Sequence, residues 1–198
     1  MVDGLVARFR ETFFDVVQAD ELAGDLKQAA SATNLGAWTR ALTEAAIRTC
    51  SGMGLMASAK GHKLELLPIH RSEYLALDVM AFSGSEKRWR FPVAVMELEN
   101  SAREDQIAYS LWKVLSVRAE LRIVFCYRRN GEQIPAFLRH LREEVVEAMG
   151  LAGRVNWKGQ RCWWWAPVAN RGRFLSATSA GGCWIRILED LNGCRGQR

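Results

Sequence analysis

Residues 91–100, FPVAVMELEN, limit what this chain can fold into more than any other stretch. The β-branched, alternating run VAVMELE predicts a strand, because successive side chains of a strand point to opposite faces. Val93, Val95, Glu97 and Glu99 then share one face, and Ala94, Met96 and Leu98 share the other. Upstream, YLALDVMAF over 74–82 predicts a second strand, with Tyr74, Ala76 and Asp78 on one face and Leu75, Leu77 and Val79 on the opposite one. A carboxylate in a run this apolar is costly unless it is paired, hydrogen-bonded or bound to a cation. Three such carboxylates from two neighbouring strands point to a metal site.

The 18 residues between Asp78 and Glu97 include the turn-rich SGSEKRWR, which suits two antiparallel strands joined by a hairpin. After Glu99 come a helical segment, SAREDQIAYSLWKVLSVRA, and an apolar strand, LRIVFCY. An acid in one strand, followed in the next by an acid two residues before a third polar group, resembles the PD-(D/E)xK nuclease superfamily, with Asp78, Glu97 and Glu99 as the matching residues. The resemblance covers roughly residues 38–127. It implies an α/β (α+β) fold with a restriction-endonuclease-like core, a central mixed sheet flanked by helices. The lysine usual in that motif is replaced here by Glu99, a change found both in active members and in members that have lost catalysis.

A chain of 198 residues, 49% hydrophobic, fits one domain with one core. The expected organisation is a helical extension over about 1–32, the core over about 33–150, and a basic Trp/Arg-rich β extension over about 151–198. No run is long and apolar enough to span a membrane, and the acids near the start do not suit a secretory signal, so the expectation is a cytoplasmic protein without a membrane partner. Five cysteines, widely spaced and without a CxxC pair, argue against a disulfide framework or a zinc site. No GxSxG, Walker loop, GxGxxG or HExxH occurs.

The net charge of +5 is uneven. Residues 1–47 hold seven acids and four bases, whereas 149–198 hold eight bases and two acids. The basic excess is mostly arginine, whose planar fork suits phosphate. Arg161, Arg171 and Arg173 beside Trp163, Trp164 and Trp165 resemble the mixture that stacks bases and holds phosphates, so Arg161, Arg171, Arg173 and Trp164 are candidates for nucleic-acid binding. Alternate residues of a strand face opposite ways, however, so at least one of the tryptophans belongs to the core, and a self-association surface is an equal reading.

Helical spacing is present over 2–18, over a shorter segment near 19–33, and from Leu35 to about Thr49, where Leu35, Trp38, Leu42 and Ala45 line one side. Arg40, Glu44 and Arg48 follow at intervals of four on another side, the pattern of a solvated ion-pair face. The resemblance nonetheless makes Glu44 a site candidate, because a glutamate on the first core helix sometimes joins the active site. Residues 53–58 suit a short strand. In the helix over 102–118, Ile107, Ala108, Leu111 and Leu115 form the core side, and Gln106, Tyr109, Ser110 and Lys113 form a second stripe. The resemblance makes Lys113 a stand-in for the missing lysine. The plainer alternative leaves Gln106, Ser110 and Lys113 facing water. LRIVFCY reads as a mid-sheet strand buried on both faces, and 133–149 as a further helix with Pro135 in its first turn.

The function implied is hydrolysis of phosphodiester bonds, in DNA more readily than RNA. Asp78, Glu97 and the Leu98 carbonyl would hold Mg2+ or Mn2+, and Glu99 would act as a further ligand or general base. Double-strand cutting would imply a homodimer. The competing expectation is an inactive nucleic-acid-binding or assembly module of the same fold.

Overall fold

A computed structural model describes residues 4–126 and 133–149 in full, and the backbone of 2–3, 161–167 and 182–186. Three helices open the chain: α1 (Val2–Gln18), α2 (Asp20–Ser31) and α3 (Leu35–Gly52). Asn34 caps α3, its side-chain oxygen accepting the Ala37 N–H at 3.0 Å, which satisfies one of the donors a helix start leaves without a partner. Strands β1 (Met56–Ala59), β2 (Val79–Phe82) and β3 (Ala94–Glu99) follow, then α4 (Glu104–Leu115), β4 (Leu121–Cys126) and α5 (Ile134–Leu141). Beyond α5 the helix widens into a π turn over Arg142–Val146 and ends in a short 3-10 turn. The backbones of β5 (Arg161–Pro167) and β6 (Gly182–Arg186) complete the described elements.

The architecture is α+β: a mixed sheet in the order β1-β2-β3-β4-β5-β6 with helices packed on it. β1, β2 and β3 pair antiparallel, β3, β4 and β5 parallel, and β6 antiparallel to β5. The antiparallel β2–β3 pair needs only the loop between them, whereas the parallel β3–β4 pair needs a crossover, which α4 supplies. As expected, β4 is mid-sheet and buried throughout.

The sheet carries a core on each face. Ala94, Met96, Leu98, Ile123 and Phe125 pack against α1, α2 and α3, and Phe13 is fully buried with its ring 5.4 Å from that of Phe125. The N-terminal helices therefore contribute to the same core as α3 and the strands. On the other face Met80, Phe82, Val95, Val124 and Cys126 pack against Ile107, Leu111 and Val114 of α4 and Phe137 of α5. Cys50 and Cys126 are both buried.

Four local expectations are corrected. The strand expected over 74–82 is shortened to Val79–Phe82, because Leu75 and Ala76 take left-handed backbone conformations, with φ of 55° and 53°. Two non-glycine residues in that region cost of order 1–3 kcal/mol each and end an extended run. Leu35 is exposed and does not line the α3 core with Trp38, Leu42 and Ala45. Ala108 packs against the α4 core from a half-buried position, and Val114, absent from the expected stripe, is fully buried beside it. Finally, Arg122 interrupts the apolar run of β4 while being 1% exposed. Its guanidinium Nε donates to the Val114 carbonyl at 3.0 Å, and Nη2 donates to the Val117 carbonyl at 2.7 Å, so it satisfies acceptors at the C-terminal end of α4.

The loop between β2 and β3 is folded around Arg90, whose guanidinium donates to the carbonyls of Ser83 and Glu86. Gly84 makes this approach feasible: its φ is +81°, and a Cβ there would collide with the Arg90 guanidinium.

Candidate functional site

Alternation along β3 delivers Val95, Glu97 and Glu99 to the α4 face, as the sequence spacing predicts, and the apolar residues between them to the α3 face. Glu97 is 5% exposed. Asp78 sits just before β2, opposite Glu97 where the β2–β3 register continues beyond Val79–Met96. The backbone beside Glu97 is tied to the Asp78 side chain: the Leu98 N–H donates to Asp78 Oδ2 at 2.8 Å. The Asp78 side chain thus takes a ladder donor where the left-handed Leu75–Ala76 turn has carried the strand backbone away.

Lys113 reaches this pair from α4. Its Nζ stands 2.8 Å from Glu97 Oε1 and donates to the Ala76 carbonyl at 2.6 Å, which ties the left-handed turn to the site. Tyr74 holds the same turn from within: its hydroxyl donates to the Ile69 carbonyl at 2.7 Å and accepts the Arg71 N–H at 3.1 Å. Glu99 is held separately. Oε1 accepts the Ser101 N–H at 2.7 Å, and Oε2 accepts the Ser110 hydroxyl at 3.1 Å. Asn100, the next residue, donates to the Thr39 hydroxyl and anchors the end of β3 to α3.

The electrostatics are dominated by burial. Loss of water pushes Glu97 up to about 7, and the proximity of Asp78 pushes in the same direction; the hydrogen bonds and charge of Lys113 offset only part of this. Asp78 is also held above the usual carboxylate range, first by burial, with the charges of Glu73 and Glu99 adding to it and the Leu98 N–H and Lys113 opposing it. One ammonium therefore compensates incompletely for three neighbouring acids. Asp78, Glu97 and the Leu98 carbonyl are oxygen donors, the ligand class that hard divalent cations such as Mg2+ and Mn2+ take. Among the described residues, no three acidic, histidine or cysteine side chains converge closely enough to be a ready-made ion cage.

Of the residues singled out from the sequence, the structure sets Lys113 against Glu97, ties Asp78 to the Leu98 backbone beside it, and places Glu99 on the same strand face, held by α4. The reading that left Ser110 and Lys113 in water is corrected: Ser110 is 3% exposed and the Lys113 side chain 18%. The sheet beneath α4 ends in carboxylates rather than apolar groups, so polar residues beside the helix's core stripe are covered by it. Gln106 is exposed, in agreement with the plainer alternative. Glu44 is engaged elsewhere, with Arg48 Nε at 2.6 Å and His62 Nε2 at 3.3 Å, as its spacing on α3 suggests. Arg161 and Trp164 fall in β5, where only the backbone is described; Trp164 pairs in register with Val124. Arg171 and Arg173 lie outside the described residues.

Sequence reasoning missed the Ala76 carbonyl and the Ser101 N–H as partners of the group. Neither carries a side-chain signal, because both act through the backbone. A cavity of about 460 Å³ between α2 and α3, lined by Asp25, Gln28, Asn34 and Arg40 among others, contains none of the site residues. No helix among the described residues is long and apolar enough to cross a membrane. Comparison of the chain with family models, with curated proteins and with solved structures returned no match.

Proposed function

We propose that Asp78, Glu97, Glu99 and Lys113 form the site of a metal-dependent nuclease with a restriction-endonuclease-like core, acting on phosphodiester bonds in DNA or RNA. The observation that carries this reading is the approach of Lys113 from α4 to Glu97: a cation meets the acidic pair although the strand position usual for lysine holds Glu99. The order of elements supports it as well. Two antiparallel strands joined by a loop, a crossover helix and a parallel strand are the sequence β2, β3, α4 and β4.

A bound Mg2+ or Mn2+ would supply a water of lowered pKa and neutralise charge developing on the phosphoryl oxygens. The chain's own residues orient and balance that chemistry. Asp78 is aimed by the Leu98 N–H, and Glu97 by Lys113. Glu99, steadied by Ser101 and Ser110, is an acceptor for a proton leaving the attacking water. Lys113 offers its ammonium to the charge that builds on a leaving oxygen. Glu97 near neutrality exchanges its proton readily, so binding a divalent cation would release a proton from this site.

The test is cleavage of mixed single- and double-stranded DNA and RNA during titration with Mg2+ and Mn2+, with Asp78→Asn, Glu97→Gln and Lys113→Met beside the wild type and a chelator control. Metal-dependent cleavage should fall at least a hundredfold in the two carboxylate variants and less in Lys113→Met. Cleavage that persists undiminished in Glu97→Gln would defeat the proposal. Lys113 stands 2.8 Å from Glu97 and offsets part of its charge without an ion, which favours a binding module as the second reading. Salt-sensitive nucleic-acid binding without metal-stimulated cleavage would select it.

A further inference from the structure

Four aromatic rings stand well out of the described surface: Phe91 at 69% exposure, Trp89 at 67%, and Tyr109 and Trp112 at 56% each. Tyr109 and Trp112 are three residues apart on α4, so they share a helix face, and their rings stack at 6.0 Å with 17° between the planes. Both residues remain more than half exposed beside this stack. Lys113 places its ammonium 5.8 Å from the Tyr109 ring centroid while standing 2.8 Å from Glu97. One side chain therefore joins the stacked pair to the acidic group. Past the end of α4, the Arg118 guanidinium lies 5.1 Å from the Phe91 ring.

Each ring of this kind leaves a large apolar area wet, which is unfavourable in isolation and favours a partner with a flat face of its own. Lys113 is already paired with Glu97, so the cation that narrows the choice is Arg118 beside Phe91. A partner that offers planar rings linked by anions satisfies both features, and unpaired nucleotides are such a partner: bases stack on aromatic side chains while phosphates meet Lys and Arg. A duplex hides the faces of its bases inside its own stack and presents chiefly phosphates and groove edges. Resting on the nuclease reading of the neighbouring carboxylates, we infer that the Tyr109–Trp112 pair is a stacking platform for an unpaired base, so that the substrate is single-stranded nucleic acid or a frayed end.

The experiment measures anisotropy of labelled oligonucleotides at low salt in the presence of EDTA, so that binding is read without cleavage. Single strands are expected to bind at least tenfold more tightly than a duplex of the same length. The double variant Tyr109→Ala/Trp112→Ala is expected to lose about tenfold or more for single strands and little for the duplex, and Trp112→Phe to retain most of the affinity. Both rings are exposed, so the variants should melt with the wild type, and a melting scan verifies this. Equal affinity of wild type and double variant for single strands, or an equal loss for duplex, would overturn the platform. So would sedimentation showing a wild-type dimer that the double variant dissociates, because the face would then belong to a second copy of the chain. Loss of metal-dependent cleavage in Asp78→Asn bears on the nuclease reading alone, whereas binding in EDTA bears on the platform alone.

Discussion

The two faces of one sheet are built from alternate residues of the same strands, yet they differ in kind. Toward α3, β3 presents Ala94, Met96 and Leu98, and the helices answer with Phe9, Phe13, Leu42 and Ala45. Toward α4 it presents Val95, Glu97 and Glu99, answered by Leu111, Ser110 and Lys113. The first face contributes stability through apolar burial. The second carries buried charge whose desolvation exceeds what its partners return, shown by the upward displacement of Asp78 and Glu97. A period of two residues allows one strand to serve both ends, because a substitution on one face leaves the other in place.

The comparison breaks if damage to one face registers on the other. Phe13→Ala, on the apolar face, should lower stability in urea by about 3–5 kcal/mol, since a fully buried aromatic leaves a cavity between α1 and β4. Its dependence of stability on pH should match that of the wild type.

Glu97→Gln should do the reverse, changing the pH dependence more than the packing. A carboxyl raised from 4.5 to about 7 keeps in the folded protein a proton that the unfolded chain has already released. Stability contributed by this group is therefore complete below about 4.5, declines as pH rises toward 7, and is lost above it. At about 1.4 kcal/mol per pKa unit, the decline is roughly 3 kcal/mol. Urea titrations from pH 4.5 to 8 should show Glu97→Gln losing most of that slope and gaining stability above pH 7. Asp78, displaced in the same direction, leaves a smaller slope of the same sign. Identical profiles for wild type and variant would mean that the α4 face does not hold Glu97 out of water.

The smallest effect belongs to Ser110→Ala. Removing the hydroxyl that donates to Glu99 should cost about 0.5–1.5 kcal/mol in urea, while Phe13 and its neighbours remain packed. A loss as large as that of Phe13→Ala would indicate that Ser110 holds more than one side chain.

The sequence made this division legible wherever a single period was sufficient. The alternation of β3 and the Glu44–Arg48 pair on α3 follow from spacing alone, and the mid-sheet placement of β4 from its continuous apolar run. The Asp78 strand did not, because alternation over 74–82 carries no sign that Leu75 and Ala76 adopt left-handed conformations, beside a Tyr74 hydroxyl bonded to Ile69 and a Lys113 bonded to Ala76 from α4. The role of Lys113 was half legible. Its helix face can be read from periodicity, but whether that face meets water or carboxylates depends on where β3 lies beneath α4. Arg122 was concealed by its apolar neighbours: the carbonyls that satisfy it belong to Val114 and Val117, on and just beyond α4.

The central claim is that the α4 face of β3 is an acidic site short of positive charge, which a divalent cation completes. Electron paramagnetic resonance of Mn2+ titrated into the protein at pH 7.5 measures this directly, because free Mn2+ gives a sharp signal that binding broadens. Wild-type protein is expected to remove Mn2+ from the free signal, with Mg2+ competing for the same place, and Glu97→Gln to leave it free. A free signal unchanged by wild-type protein, or equal uptake by Glu97→Gln, would contradict the account and leave Lys113 as the only cation these carboxylates hold.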